Sequence, residues 1–250
     1  MQRYRLLATI EYDGTDFEGF QIQARQRTVQ GELERALRQI TGEKIRVLGA
    51  GRTDTGVHAS GQGAHFDTTW NHPPEILQRA LNAVLPNDIA IRALIQVPNG
   101  FSARYSAQSR TYRYTILNQA LRSPLAARYA LAVPEPLDAD AMDAAARGLI
   151  GKHDFGAFGT PPRGDNTVRE MYRAQVTRAG NRVLIEIEAN AFLYRMVRRI
   201  VGTLLLVGKG ALSIEQFREV LAKKRRAGQS VPPQGLCLIA VKYDLATESH

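Results

Sequence analysis

The chain has 250 residues, 44% of them hydrophobic and 23% charged, which is typical of a soluble globular protein with one large or two small domains. No stretch approaches the roughly 18 consecutive apolar residues that a membrane span requires. The alternating start MQRYRLLATIEYDG is typical of a strand and not of a signal peptide. A single cysteine, Cys237, excludes an internal disulfide and a zinc site of several thiolates. We therefore expect a cytoplasmic protein.

The charge favours a polyanionic partner. Thirty-three Lys and Arg residues against 24 Asp and Glu residues give a net charge of +9, carried mostly by arginine. Phosphate contacts supply affinity that is independent of sequence, and arginine binds phosphate with two donors and stacks on bases. From charge alone, a merely basic surface is nearly as good an explanation. The arginine content shifts the interpretation towards RNA.

The first half of the chain predicts two helices and four strands. Residues 4–12 alternate as a strand with one apolar face does. Thr28 is expected to cap a helix that Gly42 ends, and the Pro73–Pro74 pair opens a second helix. The other strands are predicted over residues 44–48, 63–68 and 88–97. The resulting order β-α-β-β-α-β is that of ferredoxin-like and RRM-like units.

A glycine-rich loop interrupts this half. Residues 49–66 read GAGRTDTGVHASGQGAHF, with five glycines in eighteen residues and an acid at Asp54. Glycine tolerates positive φ and close backbone approach, so the segment is interpreted as a loop that presents Asp54. An Asp in such a turn more often hydrogen-bonds its own backbone. From the residues alone, that second reading is the more common one.

The second half begins again with a strand. Segment 98–109 is the expected joint, which divides the chain into halves 1–104 and 105–250. Ser213 and Gln216 form a capping-box pattern. The loop over 159–169 is expected to be mobile, and the KKRR run at 223–226 has no assigned role. The remaining expectations are strands at 110–118, 170–178, 182–189 and 235–244, and helices at 138–150, at about 191–207 and from 213.

Two groups of side chains in this half have competing interpretations. Tyr112 and Tyr114 share one face of their strand, and such pairs more often fill a core than bind bases. Arg195, Arg198 and Gly202 fall on one stripe of the predicted helix. A stripe of this kind is usually solvated, but the helix is apolar almost all round. These arginines are therefore expected to point into a cleft.

Several motifs together resemble one known family. GRTDTGVHA at 51–59 resembles the GRTDAGVHA signature of the TruA-type tRNA pseudouridine synthases, with Thr55 in place of Ala. The resemblance runs from Ile10 to Tyr243. It includes an Arg-x-Tyr-Arg-Tyr strand at 110–114, the helix NAFLYRMVRRIVG at 190–202 and a Gly-Leu-x-Leu element at 235–238. The departures are Phe20 for the usual Trp and Ser102 for the usual His; Arg104 is retained.

The resemblance implies a function and a set of site residues. The implied reaction is the isomerisation of uridine to pseudouridine in the anticodon stem-loop of tRNA, at positions 38, 39 and 40. Asp54 would be the catalytic carboxylate, acting first either as a nucleophile or as a base. Tyr112 would stack on the uracil, Arg198 would be the basic partner of the acid, Arg52 would support its charge, and Leu236 would line the base pocket.

The resemblance also implies a fold and partners. It implies an α+β fold in which two ferredoxin-like or RRM-like halves share one mixed, mainly antiparallel eight-stranded sheet with flanking helices. It implies a homodimer with tRNA as its partner. The reaction is redox-neutral, so no nucleotide, flavin or metal cofactor is expected. Two other functions remain open on the residues alone: a non-catalytic RNA-binding or RNA-folding module, and a glycosylase that would release free uracil.

Overall fold

The computed structural model describes residues 2–245 and divides them into two compact units. The first unit runs to Gln108 and resumes at Leu238, and the second comprises Ser109–Cys237. The division into functional halves after residue 104 stays a prediction. Residues 246–250, which the second predicted half includes, lie outside the described residues.

The first unit contains a mainly antiparallel sheet and two helices. Its elements are β1 (Tyr4–Tyr12), α1 (Val29–Thr41), β2 (Leu48–Gly49), β3 (His58–Thr68), α2 (Pro74–Val84), β4 (Ile89–Val97) and the greater part of β10 (Leu236–Tyr243). The strand order is β4-β1-β3-β10, with β2 paired to β3. The order β-α-β-β-α-β predicted for the first half is therefore confirmed.

Local chemistry fixes where the two helices of this unit begin and end. The Thr28 hydroxyl accepts from the Gly31 N–H, and Gly42 ends α1 in the left-handed region at φ 74°. Helix α2 begins at Pro74. The Asn82 side chain then ties α2 to β4, because it both donates to the carbonyl of Ile91 and accepts from its N–H. Both helices thus begin at the predicted positions.

The second unit also consists of a sheet with flanking helices. Its elements are β5 (Ala107–Leu117), β6 (Leu131–Ala132), α3 (Ala139–Arg147), β7 (Gly151–Asp154), β8 (Val168–Ala179), β9 (Arg182–Ala189), α4 (Met196–Gly208) and α5 (Ile214–Leu221). The strand order is β5-β9-β8-β7, and β6 pairs in parallel with β5. Helix α5 begins with the predicted capping box of Ser213 and Gln216. The α+β class, with a large and mostly antiparallel sheet and flanking helices, is confirmed.

The predictions for this half were wrong at two places. Helix α4 begins at Met196 and not near Ala191, because Arg195 adopts a left-handed conformation at φ 60° immediately before it. Arg195 therefore does not share a helical stripe with Arg198. The short strands β6 and β7 were also missed, since two and four residues give too little alternation to detect. Among residues 2–245, no helix has the length and apolar character that crossing a bilayer requires.

Candidate active site

Asp54 lies in the loop between β2 and β3, and the residues on either side of it are held in place. Asp54 is half-buried, and its carbonyl accepts from the Val57 N–H at 3.1 Å. Its neighbour Thr53 is buried, with Oγ1 2.7 Å from the Tyr12 hydroxyl. The Thr53 carbonyl accepts from the Phe20 N–H at 3.2 Å. The loop therefore has a defined conformation around the carboxylate.

The chain following β1 packs directly against this loop through glycines. A Cβ at Gly14 would lie 2.0 Å from the Val57 carbonyl oxygen, and a Cβ at Gly19 would lie 2.6 Å from that of Thr53. Gly19 also has φ 84°, which L-residues rarely adopt. Only glycine permits this approach. The segment over residues 13–20 consequently forms the wall against which the Asp54 loop is built.

Buried polar side chains of β3 support the loop and the segment that packs against it. Gln62 on β3 is fully buried, and its Nε2 donates to the Gly51 carbonyl at 3.1 Å. His58 is buried, and its Nδ1 accepts from the Gly14 N–H at 3.0 Å. The Asp13 Oδ1 lies 3.2 Å from the same nitrogen. The supporting roles of Gln62 and Tyr12 are not evident from the sequence, because an isolated polar residue within a strand gives no recognisable pattern.

Arg52 and Thr55, the other polar residues of the loop, lie on its exposed side. The Thr55 hydroxyl donates to the Glu18 carboxylate at 3.0 Å. Thr55 is the position that departs from the family signature, and its hydroxyl makes a contact that alanine could not make. This contact adds a further link between the loop and the segment that precedes it. The loop thus brings Arg52 and Asp54 into one short stretch of chain.

In the second unit, Tyr112 and Tyr114 occupy the same face of β5 in different environments. Tyr112 is half-buried, and its ring makes an edge contact with Phe192, with centroids 5.0 Å apart and an interplanar angle of 85°. Tyr114 is fully buried, and its hydroxyl donates to the Pro232 carbonyl at 2.8 Å. Burial raises the pKa of Tyr114, with the Arg198 charge opposing the rise. Tyr114 is therefore a neutral core residue, and Tyr112 is the accessible member of the pair.

Arg198 is held at the start of α4 by the segment that precedes β10. Its Nε donates to the Val231 carbonyl at 2.7 Å, and its own carbonyl accepts from the Val231 N–H at 3.2 Å. The side chain is half-buried. This two-way contact fixes the guanidinium rather than leaving it on a solvated face. The structure thus brings Arg198, Tyr114 and the 231–235 segment together.

Gly202 explains how that segment reaches the helix. A Cβ at Gly202 would lie 1.8 Å from the Gln229 carbonyl oxygen, so the chain passes directly over the helix backbone there. The Gly228 N–H donates to Thr203 Oγ1 at 2.9 Å, which secures the crossing. The sequence placed Gly202 on the arginine stripe. In the structure, Gly202 instead allows the backbone at Gln229 to pass close to the helix.

Leu236 follows the same segment and is buried at the start of β10. The preceding Gly235 packs on the Tyr114 ring, where a Cβ would lie 2.7 Å from Cε1. The residues immediately before Leu236 are thus held by the Tyr114 side chain. Its role in a base pocket stays a prediction.

No metal-binding cluster of His, Cys, Asp or Glu side chains is present between residues 2 and 245. The two histidines that lie near each other in sequence serve the fold. His58 accepts from the Gly14 N–H, and His65 accepts from the Ala103 N–H at 3.1 Å. Both are buried. Each ring thus supports a neighbouring loop through a backbone hydrogen bond.

Comparison with known proteins identifies the family. The model of a tRNA pseudouridine synthase family matches residues 8–106 and 145–244. The chain is 48% identical over 239 residues to the tRNA pseudouridine synthase A of Roseiflexus sp. (strain RS-1), which covers 94% of this chain and 88% of that protein. The proteins of the same name from Brevibacillus brevis (strain 47 / JCM 6285 / NBRC 100599) and Caldicellulosiruptor bescii (strain ATCC BAA-1888 / DSM 6725 / KCTC 15123 / Z-1320) are 46% and 43% identical, covering 96% and 95% of this chain and 99% of each relative. The chain belongs to the tRNA pseudouridine synthase family.

Proposed function

We propose that this protein converts uridine to pseudouridine in tRNA, at positions 38, 39 and 40 of the anticodon stem-loop. The observation that carries the proposal is the half-buried Asp54 in a loop fixed by Thr53, Phe20 and Val57. Membership of the tRNA pseudouridine synthase family supplies the reaction and the class of substrate. The positions in the anticodon stem-loop follow from the TruA-type resemblance of the motifs.

The reaction places clear demands on the site. The N1–C1′ bond breaks, the uracil turns, and C5 joins C1′; N1 then carries the proton, and the proton on C5 is lost. No electrons enter or leave, so no redox partner is required. A carboxylate held near the ribose serves either as the nucleophile or as the base that starts the sequence. A fixed loop is suited to this task because catalytic groups act through position.

The other site residues take the roles that the resemblance implies. Tyr112 stacks on the uracil, a role supported by its accessibility beside the buried Tyr114. Arg198 acts as the basic partner of Asp54, and its anchoring on the Val231 carbonyl supports a role that depends on position. Arg52 supports the charge of the acid, and either Arg52 or Arg198 contacts the backbone of the flipped-out nucleotide. Leu236 lines the base pocket.

The remaining features concern the complex with tRNA. The target uridine must leave its stack at a cost of roughly a few kcal/mol. A net charge of +9 supports phosphate contacts that offset this cost. We further propose that the protein acts in the cytoplasm, in line with its composition, and as a homodimer, as the resemblance implies. These proposals make tRNA the only partner that the reaction requires.

Tritium release tests the function directly. Full-length protein is incubated with tRNA labelled at uracil C5, and pseudouridine is mapped in the product. The wild type is expected to release tritium and to form pseudouridine at positions 38–40. Asp54→Asn keeps the shape of the side chain but removes its charge, and is expected to abolish turnover. Asp165→Asn, in the exposed part of the 159–169 loop, is the matched control that retains activity.

Three results would contradict the proposal. Full turnover by Asp54→Asn would remove the carboxylate from the mechanism. Binding of tRNA without any change in nucleoside composition would indicate an RNA-binding module. Release of free uracil, detected by chromatography, would indicate a glycosylase.

A further inference from the structure

The loop between β4 and β5 presents an aromatic ring to solvent. Tyr105 is 82% exposed, against 47% for Tyr172 on β8. The guanidinium of Arg104 lies over the Tyr105 ring, with its carbon 5.4 Å from the centroid. An exposed tyrosine alone needs no explanation. A ring paired with a planar cation at the surface is a more specific arrangement.

Hydrogen bonds hold the loop in one conformation. The Phe101 N–H donates to the Pro98 carbonyl at 2.9 Å, and the Ser106 N–H donates to the Ser102 carbonyl at 2.8 Å. The Ser102 N–H in turn donates to Ser106 Oγ at 3.0 Å. Ser102, which replaces the usual histidine of the family, thus closes the turn that carries Tyr105. The backbone beneath the exposed ring is ordered by its own contacts.

The base of the loop is attached to the core of the first unit. The Ala103 N–H donates to His65 Nδ1 at 3.1 Å, and the Ala103 carbonyl accepts from the Tyr243 hydroxyl at 2.9 Å. Phe101 is buried and packs against the Tyr243 ring, with centroids 5.1 Å apart. Both backbone groups of Ala103 are therefore satisfied by side chains of the first unit, one buried and one partly buried. Tyr105, two residues further on, is 82% exposed.

The loop is attached beside the strand that leads into the Asp54 loop. His65 accepts from the Ala103 N–H, and it also pairs with Leu48 of β2. Tyr105 is 82% exposed, whereas the detached uracil must be kept in an enclosed pocket. A base that stacks on Tyr105 is therefore a different nucleotide from the one that would react at Asp54.

We propose that Tyr105, with the Arg104 guanidinium over its ring, is a platform for a nucleobase of the RNA substrate other than the reacting uridine. The proposal rests on the proposed function for the identity of the RNA. Base–aromatic stacking tolerates any sequence and contributes about 1–3 kcal/mol per base. The arginine adds a positive charge beside the ring, which suits the adjoining phosphate. Preorganisation of the loop means that little order is lost when the base binds.

Binding and kinetics of full-length variants with unmodified tRNA test the platform. Tyr105→Ala is expected to raise both the Kd for tRNA and KM roughly tenfold, with kcat unchanged within twofold. Tyr105→Phe keeps the stacking surface and is expected to match the wild type. Tyr172→Ala is the matched control, since it removes another exposed tyrosine from a strand. Thermal unfolding of all three variants is expected to match that of the wild type.

The salt dependence distinguishes stacking from charge. Tyr105→Ala removes no cation, so the slope of log Kd against log salt concentration is expected to stay unchanged. The inference is overturned if Tyr105→Ala binds tRNA as tightly as Tyr172→Ala does, or if it lowers kcat with KM unchanged. A wild type that forms no pseudouridine would instead refute the proposed function. Failure of the platform is therefore seen in the Tyr105→Ala variant, whereas failure of the proposed function is seen in the wild type.

Discussion

The Tyr12 hydroxyl lies 2.7 Å from Oγ1 of Thr53, and this buried contact joins the end of β1 to the residue before Asp54. The Gln62 amide approaches the same hydroxyl at 3.5 Å and donates to the Gly51 carbonyl. Two strands thus hold the Asp54 loop through polar side chains. The position of the Asp54 carboxylate therefore depends on the buried side chains of Tyr12 and Gln62.

Tyr12→Phe is expected to lower kcat about tenfold while KM for tRNA changes less than twofold. The variant leaves Thr53 with a buried hydroxyl that has lost a partner, and misplacement of a catalytic group is costly. Tritium release at saturating tRNA measures the effect. Tyr4→Phe, on the same strand at its far end, serves as the control. Equal kcat values for the two variants would show that the contact does not position the loop.

Gly19→Ala is expected to abolish most activity, whereas Gly42→Ala is expected to retain it. Both glycines have positive φ, 84° and 74°, so both variants carry a similar backbone strain of about 1 kcal/mol. Only at Gly19 would the new Cβ also meet another segment of the backbone, 2.6 Å from the Thr53 carbonyl oxygen. Nothing lies within 4 Å at Gly42.

Urea unfolding and pseudouridine formation separate the two effects of these substitutions. Both variants should lose stability, and only Gly19→Ala should lose activity beyond the unfolded fraction. If activity follows stability in the same way for both, the packing of Gly19 against the Asp54 loop has no catalytic consequence.

Arg198→Lys is expected to lower kcat by at least tenfold with only a small change in tRNA affinity. Lysine keeps the charge but has no Nε to donate to the Val231 carbonyl, so the cation loses its fixed position. Arg199→Lys, on the next residue of α4, is the matched control. Single-turnover kinetics and anisotropy titrations with tRNA measure the two quantities. An equal rise in Kd for both variants, with kcat preserved, would assign Arg198 to general phosphate binding.

Stability is expected to fall between pH 7.5 and pH 5 because of His65. Burial lowers the pKa of His65, with the charge of Arg5 adding to the effect. The unfolded chain therefore binds a proton at a higher pH than the folded protein does, and stability is lost as the pH falls below about 6.5. Protonation also removes the acceptor for the Ala103 N–H.

Denaturant unfolding at the two pH values measures this dependence. The His65→Gln variant is expected to have a smaller difference between its two midpoints than the wild type. An identical difference in both proteins would show that another group causes the pH dependence.

Lys223→Met is expected to raise the pKa of Asp154 from about 2 towards its ordinary value. The Lys223 ammonium is the largest cause of the low pKa, followed by the hydroxyl of Thr167 and the N–H of Gly156. A depressed carboxyl pKa stabilises the fold above about pH 4, and this stabilisation is lost as the pH falls through about 2. An NMR titration of the Asp154 carboxyl carbon measures the pKa directly. Lys224→Met, one residue along the same run, should leave it unchanged.

The sequence predicted the features that arise from periodicity and capping. Thr28, Gly42 and the Ser213–Gln216 capping box act locally, so their effects are encoded within a few residues. The wrong start of α4 has a non-local origin. Residues 191–195 have helical spacing, but Tyr194 pairs with Thr160, and this bridge replaces the first turn.

The supports of the site could not be predicted for a similar reason. The Tyr12–Thr53 and Val231–Arg198 contacts join residues 41 and 33 positions apart, and Gln62 reaches Gly51 across the whole loop. The sequence shows glycine at positions 19 and 202, but it does not show which segments of backbone pack against them. Asp54 was identified because the residues that flank it form a contiguous signature.

The return of the chain to its first unit has a consequence for biosynthesis. Strand β10, at the end of the chain, lies next to β3 in the sheet of the first unit. A ribosome must therefore translate the whole second unit before that sheet gains its last strand. Until then the part of β3 that β2 does not cover presents an open edge of backbone donors and acceptors, which is the kind of surface that recruits other nascent chains. We therefore expect the first unit to need protection by chaperones until the second unit and β10 have been synthesised.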